Sequence, residues 1–445
     1  MGTQARTLAA LLFLASPAMA KSSPVIEQAR TQVRRLAQAA RSLAESSYYE
    51  QCCNKNYTDK NLMHFFEQEP IQSASAAPRG AGHDVSFNLG RGRELAVILR
   101  AGQKATRIKA TGKSFAQMIA ANVPGIVATD LTPDIKDAEL QPFLKGLKPG
   151  ESIDMRHTVG LVDPLTAAER PASEQVNDGL PETLEEVVSY YKGRYYKLKV
   201  GGNVAADLDR LTRIAAVLDK GAGDYRCTFD GNEQYDDVDG IVELWRKVEE
   251  TPALARMVKS TLFIEQPIKR QSALGRPVTA LAKYRPVIID ESDGELSTFP
   301  EALKLGYAGV STKNCKGFYK SILNASRVAK LGSGYFMSAE DLTTQPGVSV
   351  QQDLALVSLL GLTHVERNAH HFIDGMSTTS EAEQASFLSA HPTLYERSPG
   401  KPVRLKIEGG KIDLRSLGCA GFAVGADVDF NALRSMPAAP RERLQ

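Results

Sequence analysis

From Ser152 onward one unit repeats along the chain: a short apolar or β-branched stretch, a turn, an amphipathic helix, then another short stretch. The stretches predict strands over Ser152 to His157, Tyr195 to Val200, Arg226 to Asp230, Leu262 to Glu265, Pro286 to Asp290, Ala308 to Lys313, Gly334 to Ala339 and Leu362 to Arg367. Eight parallel strands joined by helices close naturally into a barrel, and residues at the C-terminal strand ends then face one cleft. The expected fold class is therefore α/β.

Two of the intervening helices carry mechanical signatures. In one, Pro181 is expected in the first turn, and Leu184, Val187, Val188 and Tyr191 make the apolar face. The other starts at Asn203 as N-cap, turns Leu208, Leu211, Ile214, Val217 and Leu218 inward, and stops at Gly221. A chain of 445 residues accommodates a barrel of roughly 250 residues and a companion domain. The divisions expected are 1–20, a signal peptide or N-terminal extension; 21–150, an atypical cap; 151–399, the catalytic barrel; and 400–445, a segment returning to the cap.

Arg6 precedes the apolar run Leu8 to Ala15, and Ala18-Met19-Ala20 follows with cleavage-site spacing, which resembles a secretory leader. The run is too short to span a membrane as a mature helix. The rest reads as a cytoplasmic enzyme, with export as the alternative. Glu27 to Ser46 reads as helix, Glu50 to Gly92 as polar and turn-rich. Val403 to Ile407 and Lys411 to Leu414, separated by Gly409-Gly410, suggest a hairpin outside the barrel.

Lys and Arg number 54 against 52 Asp and Glu, and no basic run or aromatic-basic stripe follows a phosphate backbone, so nucleic acid is excluded as a partner. Five cysteines, of which only Cys52 and Cys53 are close together, make no disulfide framework and are expected to be reduced and mostly buried.

Chemistry gathers at the strand ends. Strands three, four and five end in Asp230-Gly231-Asn232, Glu265-Gln266-Pro267 and Asp290-Glu291-Ser292. Each acid alone would be a solvated loop residue or a helix cap, but three at adjacent strand tips suit a hard divalent ion such as Mg²⁺, with Mn²⁺ as an alternative. Lys197 and Lys199 lie two apart and point to one side of an interior strand, where an unpaired ammonium is costly. A cationic neighbour and a dication would depress an ammonium's pKa, which nominates Lys199 as a base and Lys197 as its electrostatic partner and a substrate-carboxylate contact. Lys313, ending strand six, would face Lys199 across the cleft. Two lysines on opposite faces of one carbon could move a proton off one side and onto the other.

Strand eight alternates His364, Glu366 and Asn368 on one side, so His364 and Glu366 are candidate substrate contacts. Asn232 joins them from strand three, and Arg156 and His157, expected to end strand one, are candidates for a substrate anion. His370 and His371 are taken as satisfied structural histidines.

The set Lys197-Leu198-Lys199, Asp230-Gly231-Asn232, Glu265-Gln266-Pro267, Asp290-Glu291-Ser292 and Lys313 resembles the muconate lactonizing branch of the mandelate racemase-like enolase superfamily. Arg156-His157-Thr158-Val159-Gly160-Leu161 and Gly309 to Gly317 look like a subgroup within it. The resemblance covers about Ser152 to Leu414. It implies a modified TIM barrel of (β/α)7β type with an N-terminal α+β capping domain, and Asp230, Glu265 and Asp290 as Mg²⁺ ligands. It also implies Lys199 and Lys313 as paired acid and base, a small carboxylic acid as substrate, and a homo-oligomer without a membrane anchor in the mature form. The family's strand-rich cap is not visible between Lys21 and about Lys104, and its pattern resumes near Ala110 to Phe115 as a cap helix.

The reaction so implied removes a proton alpha to a carboxylate through an enediolate, and then epimerises or racemises, dehydrates or cycloisomerises the acid, as an isomerase or lyase. The alternatives are a catalytically idle metal-binding barrel serving as a binding or structural protein, and an unrelated metal-dependent barrel such as an aldolase.

Overall fold

The computed structural model describes the backbone over 73–79, 82–90 and 93–100, and residues 112–428 apart from 177 and 341–343. The leader-like segment 1–20, the helix expected over 27–46 and Cys52 and Cys53 lie outside the described residues. The chain divides into two units, 1–113 with 427–445, and 114–426.

In the first unit β1 (Ser73–Arg79), β2 (Gly82–Gly90) and β3 (Arg93–Arg100) form an antiparallel meander. The sequence reading found no strand pattern there. The first strand, Ser-Ala-Ser-Ala-Ala-Pro-Arg, has no β-branched or aromatic residue, and strand propensity is a weak signal without them.

In the second unit the eight expected strands are all present: β4 (Ser152–Val159), β5 (Tyr195–Lys199), β6 (Arg226–Asp230), β7 (Thr261–Glu265), β8 (Val287–Ile289), β9 (Gly309–Thr312), β10 (Phe336–Ala339) and β11 (His364–Glu366). They are parallel. β4 to β10 neighbour one another in chain order, and β11 pairs with β4, the first strand, as a curled sheet requires. The curl is visible in a single side chain. Lys197 of β5 reaches carboxylates on β6, β7, β11 and the residue after β10, which no flat sheet could bring to one atom.

The sheet is built on a two-residue parity. Tyr196, Leu198, Cys227, Phe229, Ile264, Val287, Ile289 and Val310 point outward into one core beneath the helices. Their neighbours Lys197, Thr228, Asp230, Glu265, Ser311 and Ser338 point inward and are buried too.

The helix Leu184–Tyr191 buries Leu184, Val187, Val188 and Tyr191, but it starts later than expected: Thr183 is the N-cap, closed by a capping box with Glu186, and Pro181 lies before it. Asn203 caps Val204–Gly221 by accepting from the Ala206 N–H at 3.1 Å. Ahead of the barrel, Phe115–Ala120 is a helix with a Ser114/Gln117 capping box, and Phe115 stacks on Phe422 at 4.1 Å.

The expected C-terminal hairpin is replaced. A turn does form between Glu408 and Lys411, but β12 (Tyr395–Glu396) pairs with β13 (Arg404–Leu405), and β14 (Lys411–Asp413) adds antiparallel to β4. The start of β4, Ser152 to Asp154, precedes the stretch paired with β5 and offers ladder partners that a two-stranded hairpin would leave unused. Cys227 is buried, and Cys315 and Cys419 are half-buried.

Candidate active site at the strand ends

Inward parity puts one lysine in the middle of the carboxylates. Lys197 Nζ lies 2.9 Å from Glu366 Oε2, 3.0 Å from Asp230 Oδ2, 3.3 Å from Glu265 Oε2 and 3.5 Å from Glu340 Oε2. Burial opposes its charge, but the surrounding carboxylates outweigh that and hold the ammonium well above its ordinary pKa. Lys199, one step nearer the mouth and partly exposed, donates to Asp230 Oδ2 at 2.5 Å and Asn232 Oδ1 at 2.7 Å.

On the other side, β9 lies four strands from β5 in a ring of eight, which sets Lys313 opposite Lys199. Lys313 pairs with Glu340 and stands 3.7 Å from Asp290. Burial opposes its charge and Asp290 more than restores it, so it too is held above the ordinary lysine range. Carboxylates dominate the surroundings of both Lys197 and Lys313 and hold both charged. Lys316 also grips Asp290, through its side chain and, at 2.8 Å, its carbonyl, and reaches the Ser311 carbonyl at 2.9 Å.

The acids differ in how they are held. Burial raises Glu265, which accepts no hydrogen bond at either oxygen. Asp290 is kept well below the usual carboxylate range, since Lys313 and Lys316 more than offset its burial. Glu366 is likewise lowered, burial being outweighed by Lys197, and it accepts from Thr158 Oγ1 at 2.5 Å and Asn368 Nδ2 at 2.7 Å. It is a charged acceptor here. Glu291 is pushed up to about 8 by burial and by Asp290, and accepts from Asn232 Nδ2 at 3.0 Å.

Three strand-end loops interlock behind these acids. Gln266, fully buried, accepts from the Asp290 N–H at 2.9 Å and the Ser292 N–H at 3.3 Å, and donates to Ser292 Oγ and the Ile268 carbonyl, both at 2.8 Å. A Cβ on Gly231 would sit 2.4 Å from Pro267 Cα, so only glycine lets the two loops touch. Asn232, Glu233 and Gln266 adopt φ of 43°, 65° and 33°, left-handed values that cost of order 1–3 kcal/mol each and that cluster where function needs them. The Glu233 carboxylate in turn accepts from Arg270 Nε at 2.7 Å and Nη2 at 2.6 Å.

One oxygen each from Glu265, Asp290 and Glu340 lie within 4.8 Å of one another, so these three could hold a metal ion. All are buried. A buried, all-carboxylate set with unbonded oxygens fits a hard divalent cation. Asp230 shares Lys197 with Glu265 and is also held by Lys199. Glu340 and Lys316 escaped the sequence reading. Glu340 directly follows β10 just as Asp290 directly follows β8, so the same strand-end rule would have found it.

Two expected contacts lie elsewhere. β4 runs two residues past His157, which places Arg156 and His157 inside the strand and not at its tip. Arg156 points inward below the acids, fully buried, donating to Ala339 O at 2.7 Å and Ser338 Oγ at 3.1 Å and meeting His364 Nδ1 at 2.7 Å. His157 points outward to His370, 3.3 Å away, beside Tyr191. His364 stacks on Tyr195 with ring centroids 4.4 Å apart, and is held down to about 3 by burial and by Arg156.

Solved structures similar to this chain exist. The chain is similar to the mandelate racemases and muconate lactonizing enzymes. A mandelate racemase/muconate lactonizing protein from Herpetosiphon aurantiacus is 15% identical, with 80% of this chain and 97% of that one covered and a TM-score of 0.42. A dipeptide epimerase from Enterococcus faecalis V583 is 15% identical over 79% and 97%, TM-score 0.42. A muconate lactonizing enzyme from Pseudomonas putida is 14% identical over 77% and 92%, TM-score 0.39. No protein-family profile and no curated protein matches the chain. Among the described residues no helix is long and apolar enough to cross a membrane.

Proposed function

We propose that the protein removes a proton alpha to the carboxylate of a small organic acid, in a reaction that depends on Mg²⁺ or Mn²⁺. The observation that carries this is the placement of Lys199 and Lys313 on opposite strands of the curled sheet, with buried carboxylates between them. The acids read from the sequence, Asp230, Glu265 and Asp290, hold the cation, and Glu340 lies close to the last two. The cation, when bound, supplies positive charge for the substrate carboxylate as negative charge builds up on it.

The chain's own residues do the rest. Lys199 takes the alpha proton. Asn232 and Asp230 fix the direction of its ammonium once it is charged. Lys313, kept protonated by Asp290 and Glu340, is the donor on the opposite face. Lys197, enclosed among four carboxylates, carries no proton to substrate and sets the field in which the others work. Glu366 and Thr158 form the wall beside it.

The family-like architecture makes acid epimerisation, dehydration and cycloisomerisation the reaction classes to test. NMR of a carboxylic-acid library, with acid sugars and N-acyl amino acids, in D₂O with Mg²⁺ reads loss of the alpha-proton signal. Exchange that stops on adding EDTA supports the reading. No exchange in any acid, with the cation bound, would replace it with an idle metal-binding barrel.

A further inference from the structure

Asn232 joins two strand ends that are not neighbours. It stands two residues past β6, and its side chain bridges Lys199, the last residue of β5, and Glu291, two residues past β8. Lys199 Nζ donates to Asn232 Oδ1 at 2.7 Å, and Asn232 Nδ2 donates to Glu291 Oε1 at 3.0 Å. β7 lies between β6 and β8, so the second bond reaches across the strand that carries Glu265.

We infer that Glu291 is a positioning residue for Lys199: it holds the Asn232 amide so that the carbonyl oxygen, and not the NH₂ group, faces the lysine nitrogen. This rests on the reading of Lys199 as the base.

The two protonation states of Lys199 place different demands on that amide. An ammonium only donates, so a charged Lys199 selects the amide oxygen by itself. A neutral amine donates and accepts, and either end of the amide could meet it. The neutral amine is the state that takes the alpha proton. In that state the choice falls to Glu291. Its Oε1 accepts from the amide whether or not the other oxygen carries a proton, which keeps the NH₂ group on Glu291 and the oxygen on Lys199. An amide turned over would donate to the lone pair of the amine and block the position that has to receive the proton.

The main chain of Asn232 is already fixed. Its φ is 43°, a left-handed value that asparagine enters more readily than most residues. Its N–H donates to Asp230 Oδ1 at 2.7 Å, and its carbonyl accepts from Gln234 Nε2 at 3.0 Å. Rotation of the amide is the freedom that remains, and Glu291 removes it. Glu291 Oε2 is buried and accepts no hydrogen bond, so this carboxyl serves the amide through Oε1. Asp230 Oδ2, the other acceptor of Lys199, is shared with Lys197 and in the reading above turns to the cation. Asn232 Oδ1 is the contact for which no cation competes.

The test follows alpha-proton exchange in D₂O with N-acyl amino acids and acid sugars, each offered as its separate alpha epimers. Glu291→Met removes the acceptor at similar length and Glu291→Gln keeps one, with folding checked by circular dichroism. Should Glu291→Met fail to fold, Glu291→Asp, whose carboxyl stops short of the amide, takes its place. Positioning through Asn232 predicts that exchange slows by about 10–10²-fold for the epimer whose proton faces Lys199, as a misplaced group does, while the opposite epimer is spared. Glu291→Gln should restore most of the rate. Asn232→Ala should lose the same epimer, and adding Glu291→Met to it should cost nothing further, because residues acting through one another do not add. Equal slowing of both epimers, or losses that add in the double variant, would overturn the assignment and make Glu291 a support for its neighbour Asp290. No exchange of any acid by the unsubstituted protein would instead remove the alpha-proton reading itself, and this inference with it.

Discussion

Two polar layers lie one above the other inside the curled sheet, and they are put together differently. In the lower, one guanidinium is fixed: Arg156 is tied to β10 and β11 through Ser338, Ala339 and His364 and lies 5.7 Å from the Phe263 ring centre. In the upper, Asp230, Glu265, Asp290, Glu340 and Glu366 share flexible ammonium groups, and Glu265 keeps unbonded oxygens. A rigid, planar donor is matched to fixed acceptors, whereas lysines on long stems leave room for exchange of partners. The lower layer ties strands together, and the upper one keeps buried oxygens without hydrogen bonds.

That contrast can be broken most sharply at the top. Lys199→Ala should reduce alpha-proton exchange of the enantiomer whose proton faces it by about 10²–10⁴-fold, the usual worth of a positioned general base, with little change in melting temperature. Loss of folding and not of rate would put Lys199 in the structural layer. The lower layer should respond the other way. Arg156→Met is expected to cost about 1–3 kcal/mol in urea unfolding, by stranding the buried Ala339 carbonyl and Ser338 hydroxyl, and to leave Mn²⁺ affinity alone.

Behind the upper layer stands Gln266. Replacing it with Ala strands the Asp290 and Ser292 N–H groups, so stability should drop by about 1–3 kcal/mol. Cation affinity should fall with it, because Asp290 loses its support. A stability loss with unchanged affinity would mean that the loops hold the acids without it.

The smallest effect concerns pH. Folded, His364 takes a proton only near about 3, below its ordinary 6.5, because it is buried beside Arg156. Between those values the unfolded chain binds the extra proton. The stability contributed by neutral His364 is thus complete above about 6.5 and lost as pH falls toward 3. His364→Phe should flatten the decline in unfolding free energy between pH 6 and 4, and an unchanged slope would remove His364 from the account.

Much of this was legible in the sequence because parity is. The spacing of Lys197 and Lys199, and carboxylates at successive strand tips, assign the inner face without a structure. The same rule failed where a boundary was misplaced: two residues added to β4 move Arg156 and His157 off the tip, and one step of parity turns His157 outward to His370. Glu340 was legible but unread. Gln266 was not, since its role lies in bonds to a neighbouring loop that no local pattern shows. Nor was the meander of β1 to β3, whose first strand lacks the residues that mark strands.

The central claim is that two lysines address one carbon from opposite faces. It is tested most directly with both enantiomers of any acid the protein exchanges, followed in D₂O with Lys199→Ala and Lys313→Ala separately. The account predicts that each variant loses alpha-proton exchange for one enantiomer and keeps it for the other, with opposite preference. Loss of the same enantiomer in both, or undiminished exchange of both in either, would contradict it.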